Sequence, residues 1–187
     1  IKDEAEGLDE MVRNLLAITR IDAGALELRR DWIDLREIVN RIANAARRRR
    51  VAQTISIALA DDLPMIRADA TLIEQAVGNV LANAIQHTAP ETTIVIDADA
   101  QDARVMLRVT DDGPGIEPDL LPKIFDRFAV GAPKGGTRDG GESTGLGLAI
   151  AKGILEAHGG SIAVESPVND HGGVRFSLAF PREDVRP

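Results

Sequence analysis

Leu8, Met11, Leu15 and Ile18 fall at alternating steps of three and four within a proline-free stretch from residue 5 to residue 28, the spacing of a helical seam that packs on another helix. No second apolar stripe in the first thirty residues matches it, so the seam predicts a partner helix absent from this chain or a second copy of the same helix. Gly24 lies near the end of that helix, and Asp34 with Glu37 has the spacing of a capping box ahead of Leu35, Ile38, Val39 and Ile42. Ile55, Ile57 and Leu59 then alternate with polar or small residues as in a half-buried strand, and a turn at Asp61, Asp62 and Pro64 leads to a short strand over Met65 to Arg67. Asp69 is placed to cap a long helix reaching about His87. Strands over Thr92 to Ala98 and Arg104 to Thr110 follow, each with aliphatic or β-branched residues at every second position. A last helix, from about Leu146 to His158, stops at Gly159 and Gly160 and precedes a hairpin of Ser161 to Glu165 and Val174 to Phe180. Helices with antiparallel hairpins and no regular crossover repeat predict an α+β fold, a two-layer α/β sandwich of one mixed sheet with helices on one face. The chain divides into a lead-in helix over residues 1–30 and a cored domain over residues 31–187.

The 187 residues are 44% hydrophobic, enough for one cored domain and an appendage. A net charge of -8 supplies no overall positive field for nucleic acid or an anionic membrane, so any anionic ligand must be held by local geometry. Arg47 to Arg50 sit where cations favour a helix C-terminus and have no stacking aromatics beside them, so no nucleic-acid partner is expected. Cysteine is absent, which excludes disulfides, thiolate metal sites and cysteine nucleophiles and fits a reducing, cytoplasmic setting. There is no signal peptide and no apolar run near the roughly 20 residues of a membrane span, and the chain opens at Ile1, so it reads as a piece of a larger protein.

Four stretches carry candidate chemistry. In Glu74 to His87, four-residue spacing puts Asn79 and Asn83 on one stripe with Gln86 beside them, and Ile73, Val77, Val80 and Ala84 on the opposite face. A carboxamide pair on a cleft can ligate a hard cation and orient phosphates; the plain alternative is two surface asparagines. Asp111-Asp112-Gly113-Pro114-Gly115-Ile116 ends a strand, where glycines permit close approach and a buried carboxylate can accept from an exocyclic amine such as that of adenine; the alternative is an ordinary turn. Phe125-Asp126-Arg127-Phe128 precedes a glycine- and charge-rich segment from Ala129 to Thr144, as a lid hinged on an aromatic post does, with Arg127 in reach of a terminal phosphate; the alternative is a surface loop with a salt-bridged arginine. Ser143-Thr144-Gly145-Leu146-Gly147-Leu148 opens a helix, where unpaired amides and the dipole bind phosphate without net positive charge. Its spacing fits neither a GxGxxG dinucleotide loop nor a GxxxxGK(S/T) loop.

Asparagine helix, DxGxG loop, FxRF, lid and GLGL helix in this order resemble the N, G1, F and G2 boxes of sensor histidine kinases, within the superfamily that includes gyrase B, Hsp90 and MutL, and the resemblance spans about residues 34 to 181. Residues 5 to 28 look like the second helix of that family's dimerisation and phosphotransfer hairpin. The stretches around Arg30-Asp31-Trp32 and from Leu63 to Gln75 look most like the KdpD group of potassium-responsive sensor kinases. The resemblance implies a Bergerat-type ATP-binding fold with Mg2+ on Asn83, a phosphate or metal-bound water on Asn79, adenine on Asp111, and Gly113, Gly115 and Ile116 walling the base. It implies phosphates on the main-chain amides of Gly145, Leu146 and Gly147, flanked by Thr144 and Leu148, and Arg127 on the departing γ-phosphoryl group, so that Asn79 and Arg127 are the catalytic pair. Related ATPases carry a water-activating glutamate where Asn79 stands; an amide cannot take that proton, so this site is expected to hold ATP for transfer and to hydrolyse it poorly.

The implied partners are ATP, a histidine-bearing hairpin helix, a response regulator and a second copy of the chain as a homodimer, in the cytoplasmic portion of a bacterial inner-membrane protein. An ATPase clamp of the gyrase type and a non-catalytic interaction module with a degenerate pocket are the rival readings. Gln86 and His87 stand where the family often has Lys and Tyr, which leaves Arg127 or Lys134 to supply a phosphate-facing cation and His87 as a neighbour of the nucleotide. Ser143 stands where the second glycine box often begins with Gly. The family's phosphoacceptor motif, a histidine followed by an acidic residue and a proline, is absent, since the histidines are His87, His158 and His171. The chain by itself is therefore not expected to phosphorylate itself.

Overall fold

The computed structural model describes residues 12, 14, 16–21, 23, 24, 26–49, 51–129, 144–170 and 172–183. Its strands are β1 (Asp31–Ile33), β2 (Thr54–Leu59), β3 (Ile66–Ala68), β4 (Thr93–Gln101), β5 (Arg104–Asp111), β6 (Ser161–Glu165) and β7 (Val174–Pro181). Its helices are α1 (Leu35–Arg48), α2 (Ala70–Gln86) and α3 (Gly147–Ala157). β2 runs parallel to β4, and the other neighbours are antiparallel, giving one mixed five-stranded sheet in the order β2-β4-β5-β7-β6. β1 and β3 form a separate antiparallel pair.

Alternation along the strands decides which face the helices cover. Ile94, Ile96 and Ala98 of β4, Val105, Leu107 and Val109 of β5, and Phe176, Leu178 and Phe180 of β7 are buried, whereas Asp97, Met106, Arg108, Arg175 and Ser177 on the other face are half-buried. On that outer face Arg108 pairs with Asp97 at 2.7 Å and Asp99 at 3.1 Å. The helices lie on the apolar side, as the expected two-layer α+β sandwich requires. Asp34 caps α1 by accepting from the Arg36 amide, and Asp69 caps α2 by accepting from the amides of Thr71 and Leu72. Ile73, Val77, Val80 and Ala84 of α2 are all buried, which turns Asn79 and Asn83 away from the core as the spacing predicts. Arg47, at the end of α1, donates to the Ile55 carbonyl at 2.7 Å, in keeping with a helix-terminal role for the arginine run.

Three expectations change. The predicted lead-in helix over residues 5 to 28 is too long: helical residues end at 21, the amides of Ala23 and Gly24 fold back to Thr19 and Ile21, Gly24 has φ 60, and residues 26–30 are irregular. Leu8, Met11 and Leu15 lie outside the described residues, but Ile18 does not wait for an outside partner, being 6% exposed within the chain's own core. Ile21 beside it packs so closely on α3 that a Cβ added to Gly153 would lie 2.7 Å from Ile21 Cγ2. The strand β1 has no counterpart in the sequence reading, because three residues are too few for an alternation to register. Remaining ends shift slightly, the last helix spanning Gly147–Ala157 rather than Leu146 to His158 and β4 running on to Gln101.

Candidate functional site

Strand β5 delivers the first group. Val105, Leu107, Val109 and Asp111 share the inward face at a period of two, so the end of an aliphatic row places a carboxylate that is 5% exposed. The Gly113 amide donates to Asp111 Oδ1 at 2.9 Å and the Val174 amide donates as well, which leaves acceptor positions of the carboxylate open. Burial pushes the Asp111 pKa above its ordinary value; the amides of Gly113 and Val174 oppose this, and the charge of Asp112 adds to it. A hydrogen-bond donor arriving at this carboxylate would relieve part of that desolvation. Gly113 is buried, and Gly115 and Ile116 half-buried, in the loop that follows.

Helix α2 delivers the second group. Asn79 and Asn83 are half-buried one turn apart, and Asn79 Nδ2 donates to the Gly147 carbonyl at 3.0 Å, which ties this stripe to the first turn of α3. His87 caps α2 through its amide, which donates to the Asn83 carbonyl at 3.1 Å. Its ring is exposed, yet surrounding atoms desolvate it enough to lower its pKa, so it makes a poor substitute for a lysine cation.

The third group is the start of α3. Leu146 occupies the cap position and has no side-chain oxygen, so among the described residues the cap position offers the first-turn amides no side-chain acceptor, while Leu146 and Leu148 are buried and hold the turn down. Thr144, Gly145 and Gly147 are half-buried. Gly145 has φ 63, and a Cβ there would lie 2.7 Å from Phe128 Cα; the Phe128 amide donates to the Gly145 carbonyl at 2.9 Å. Phe128 is itself left-handed, with φ 61, and is 68% exposed. These contacts clasp Phe128 to Gly145; Lys134 and Ser143 lie outside the described residues.

Arg127 is the predicted site residue set apart. It is exposed and lines, with Ile21, Lys152 and Glu156, a cavity of about 430 Å³ between the lead-in helix and α3, on whose wall neither Asn79, Asn83 nor Asp111 stands. Among the described residues no cluster of three His, Asp or Glu side chains suits a metal ion. Asn83, half-buried on α2, offers a neutral amide oxygen of the kind a hard divalent cation accepts. Sequence reasoning missed Ser166 in the loop between β6 and β7, whose Oγ accepts from the Ile116 amide at 2.8 Å. A Ser-Pro step and a Gly pair mark that loop as a turn, but nothing local says that it meets a loop 50 positions away.

Residues 68–184 match the family described as histidine kinase-, DNA gyrase B-, and HSP90-like ATPase. The chain is 34% identical over 183 residues to the sensor protein KdpD of Clostridium acetobutylicum, covering 98% of this chain and 20% of that protein, so it spans about a fifth of that relative's length. Among solved structures it resembles full-length ShkA in complex with AMPPNP, with 28% identity, a TM-score of 0.75, and 94% of this chain and 36% of that one covered. It also resembles ThkA in complex with the response regulator TrrA, with 25% identity, a TM-score of 0.70, and 96% and 50% covered. The asparagine stripe against the start of α3, the buried carboxylate at the end of β5 and these likenesses agree: the chain belongs to the family of histidine kinase-, DNA gyrase B- and HSP90-like ATPases, and within it to the ATP-binding catalytic domains of sensor histidine kinases.

Proposed function

We propose that this domain binds Mg-ATP and transfers the γ-phosphoryl group to a histidine on a helical hairpin of the full protein, for relay to an aspartate of a response regulator. The observation that carries the reading is the 3.0 Å contact between Asn79 Nδ2 and the Gly147 carbonyl, which sets the amide stripe of α2 against the uncapped start of α3. In this reading Asp111 accepts from the adenine amine, Gly113, Gly115 and Ile116 shape the base pocket, and the amides at Gly145 to Gly147, flanked by Thr144 and Leu148, receive the phosphates. Asn83 supplies the protein's oxygen to Mg2+, which when bound would screen the phosphate charge. Asn79 orients phosphate or metal-bound water and cannot take a proton from water, which disfavours the hydrolytic clamp reading. The hairpin imidazole nitrogen forms the new P–N bond as the β,γ P–O bond breaks and ADP departs. In the same reading Arg127, which lines the cavity beside the lead-in helix, stabilises charge on the departing γ-phosphoryl group.

Residues 1–30 are, in this proposal, the second hairpin helix, leading into a catalytic domain over residues 31–187 of a homodimeric protein. Its full-length form would be a KdpD-like bacterial inner-membrane sensor with this portion in the cytoplasm; no helix among the described residues is long and apolar enough to cross a membrane.

Calorimetric titration of a non-hydrolysable ATP analogue with Mg2+ tests the site. Binding that weakens in Asn83→Ala and Asp111→Asn supports it, and no binding by the native chain moves an interaction module to the front. A separate hairpin bearing the histidine should become labelled from Mg-ATP, and an unlabelled hairpin would sink the transfer reaction.

A further inference from the structure

We infer that Ser166, in the loop between β6 and β7, is a positioning residue for nucleotide recognition, because it props the far half of the Asp111 to Ile116 loop from outside. This inference rests on the reading of Asp111 as the carboxylate that receives the base amine.

The Ser166 hydroxyl is used in both directions: it accepts from the Ile116 amide at 2.8 Å and donates to the Gly173 carbonyl at 3.1 Å. A second strut runs alongside, the Gly173 amide donating to the Gly113 carbonyl at 2.7 Å. The supporting loop is closed on itself, since the amides of Val168 and Asn169 donate to the Gly172 carbonyl at 3.0 and 3.1 Å and the Gly172 amide returns to the Asn169 carbonyl at 3.1 Å. Such a loop acts as a preformed prop rather than a slack connection.

The base loop needs a prop for a specific reason. Its own internal bond, from the Gly113 amide to Asp111 Oδ1, engages the very carboxylate that a base amine would approach. A loop held by that bond alone would change shape whenever a ligand competed for Asp111. External ties remove the conflict. Asp112 fastens the near half to β4, its Oδ1 accepting from the Thr93 amide at 2.8 Å, and Ser166 fastens the far half, where Pro114 has no amide hydrogen to give. With both halves fixed, Asp111 keeps its orientation and its remaining lone pairs stay available to a base amine. Ser166 therefore acts through the base loop and not on the phosphates, which lie at a different element, the start of α3.

The test is a titration of Mg-ATP into the full 187-residue chain and its Ser166→Ala, Ser166→Thr, Asp111→Asn and Asp111→Asn/Ser166→Ala variants, with thermal unfolding of each; Ser166→Cys replaces Ser166→Ala if alanine prevents folding. Loss of one neutral hydrogen bond that holds the loop should weaken ATP binding about three- to tenfold in Ser166→Ala, with Ser166→Thr near native. The double variant should bind within about twofold of Asp111→Asn alone, because Ser166 works through the loop that presents Asp111. Native-like ATP affinity in Ser166→Ala, failure of a folded Ser166→Thr to restore binding, or the full Ser166→Ala effect reappearing in the Asp111→Asn background would each overturn the inference. A native chain that does not bind ATP would overturn the nucleotide reading itself and this inference with it.

Discussion

Asp111 and His158 are the two most instructive buried titratable groups in the molecule, 5% and 4% exposed, and they sit at the ends of two different elements, β5 and α3. His158 is consumed by the fold. Its Nδ1 donates to the Ile154 carbonyl at 2.8 Å and its Nε2 accepts from the Asp69 amide at 3.0 Å, so the neutral ring joins the end of α3 to the cap of α2. The irregular segment after the lead-in helix is sewn to the same joint, with the Arg29 amide donating to Asp69 Oδ2 at 3.0 Å and Arg30 to the Ala157 carbonyl at 3.0 Å. Asp111 is buried as deeply but keeps acceptor capacity facing its loop. Depth of burial is therefore the same for the two groups; what differs is the count of partners left open, and that difference supports the nucleotide-binding role proposed for Asp111.

The largest expected effects come from exchanging the two. His158→Ala strands the Asp69 amide and opens a void, and should cost about 2–4 kcal/mol in urea unfolding while leaving the ATP affinity of the folded protein close to native. Asp111→Asn should do the reverse, weakening Mg-ATP binding about 10- to 100-fold with stability unchanged or raised. If Asp111→Asn destabilises as His158→Ala does, the comparison collapses. Next in size, Gly145→Ala forces a left-handed alanine against Phe128 and should lose about 1–3 kcal/mol, read from thermal unfolding.

The two groups should also pull stability in opposite directions with pH. Burial lowers the His158 pKa, with the Ile154 carbonyl opposing, Arg30 adding and Asp69 opposing. Its contribution is therefore complete above the unfolded value of about 6.5 and is lost as pH falls through the lower folded value. Burial raises the Asp111 pKa, so its contribution is complete below the unfolded value of about 3.9 and is lost as pH rises through the higher folded value. Unfolding measured across this range should show Asp111→Asn ahead of the native chain at neutral pH and level with it in acid. An equal offset at every pH would refute the assignment to Asp111 ionisation. The smallest effect is expected on the surface, where Glu74→Gln breaks the exposed 2.8 Å pair with Arg41 and should change stability by less than about 0.5 kcal/mol in the same urea assay.

Much of the fold was legible in the chain. Period-two rows at Ile94 to Ala98 and Val105 to Val109 marked the central strands, and the apolar positions from Ile73 to Ala84 fixed which side of α2 would carry Asn79 and Asn83. The candidate site was legible in its order of motifs. Ser166, the clasp of Phe128 on Gly145 and the setting of Arg127 beside the lead-in helix were not, because no local spacing encodes a contact between separate elements. Ile18 was misjudged for the same reason: its apolar spacing was real, but its partner was the chain's own core.

The sequence by itself determined element type, the inward row that ends in Asp111, and the helix start with no capping side chain, since backbone periodicity and local capping chemistry act over a few residues. The tertiary structure alone decided that Asn79 meets Gly147 across 68 positions, Ser166 meets Ile116 across 50 and His158 meets Asp69 across 89. Those pairings depend on how the helices lie on the sheet, and that follows from the whole buried surface rather than from any one segment of it.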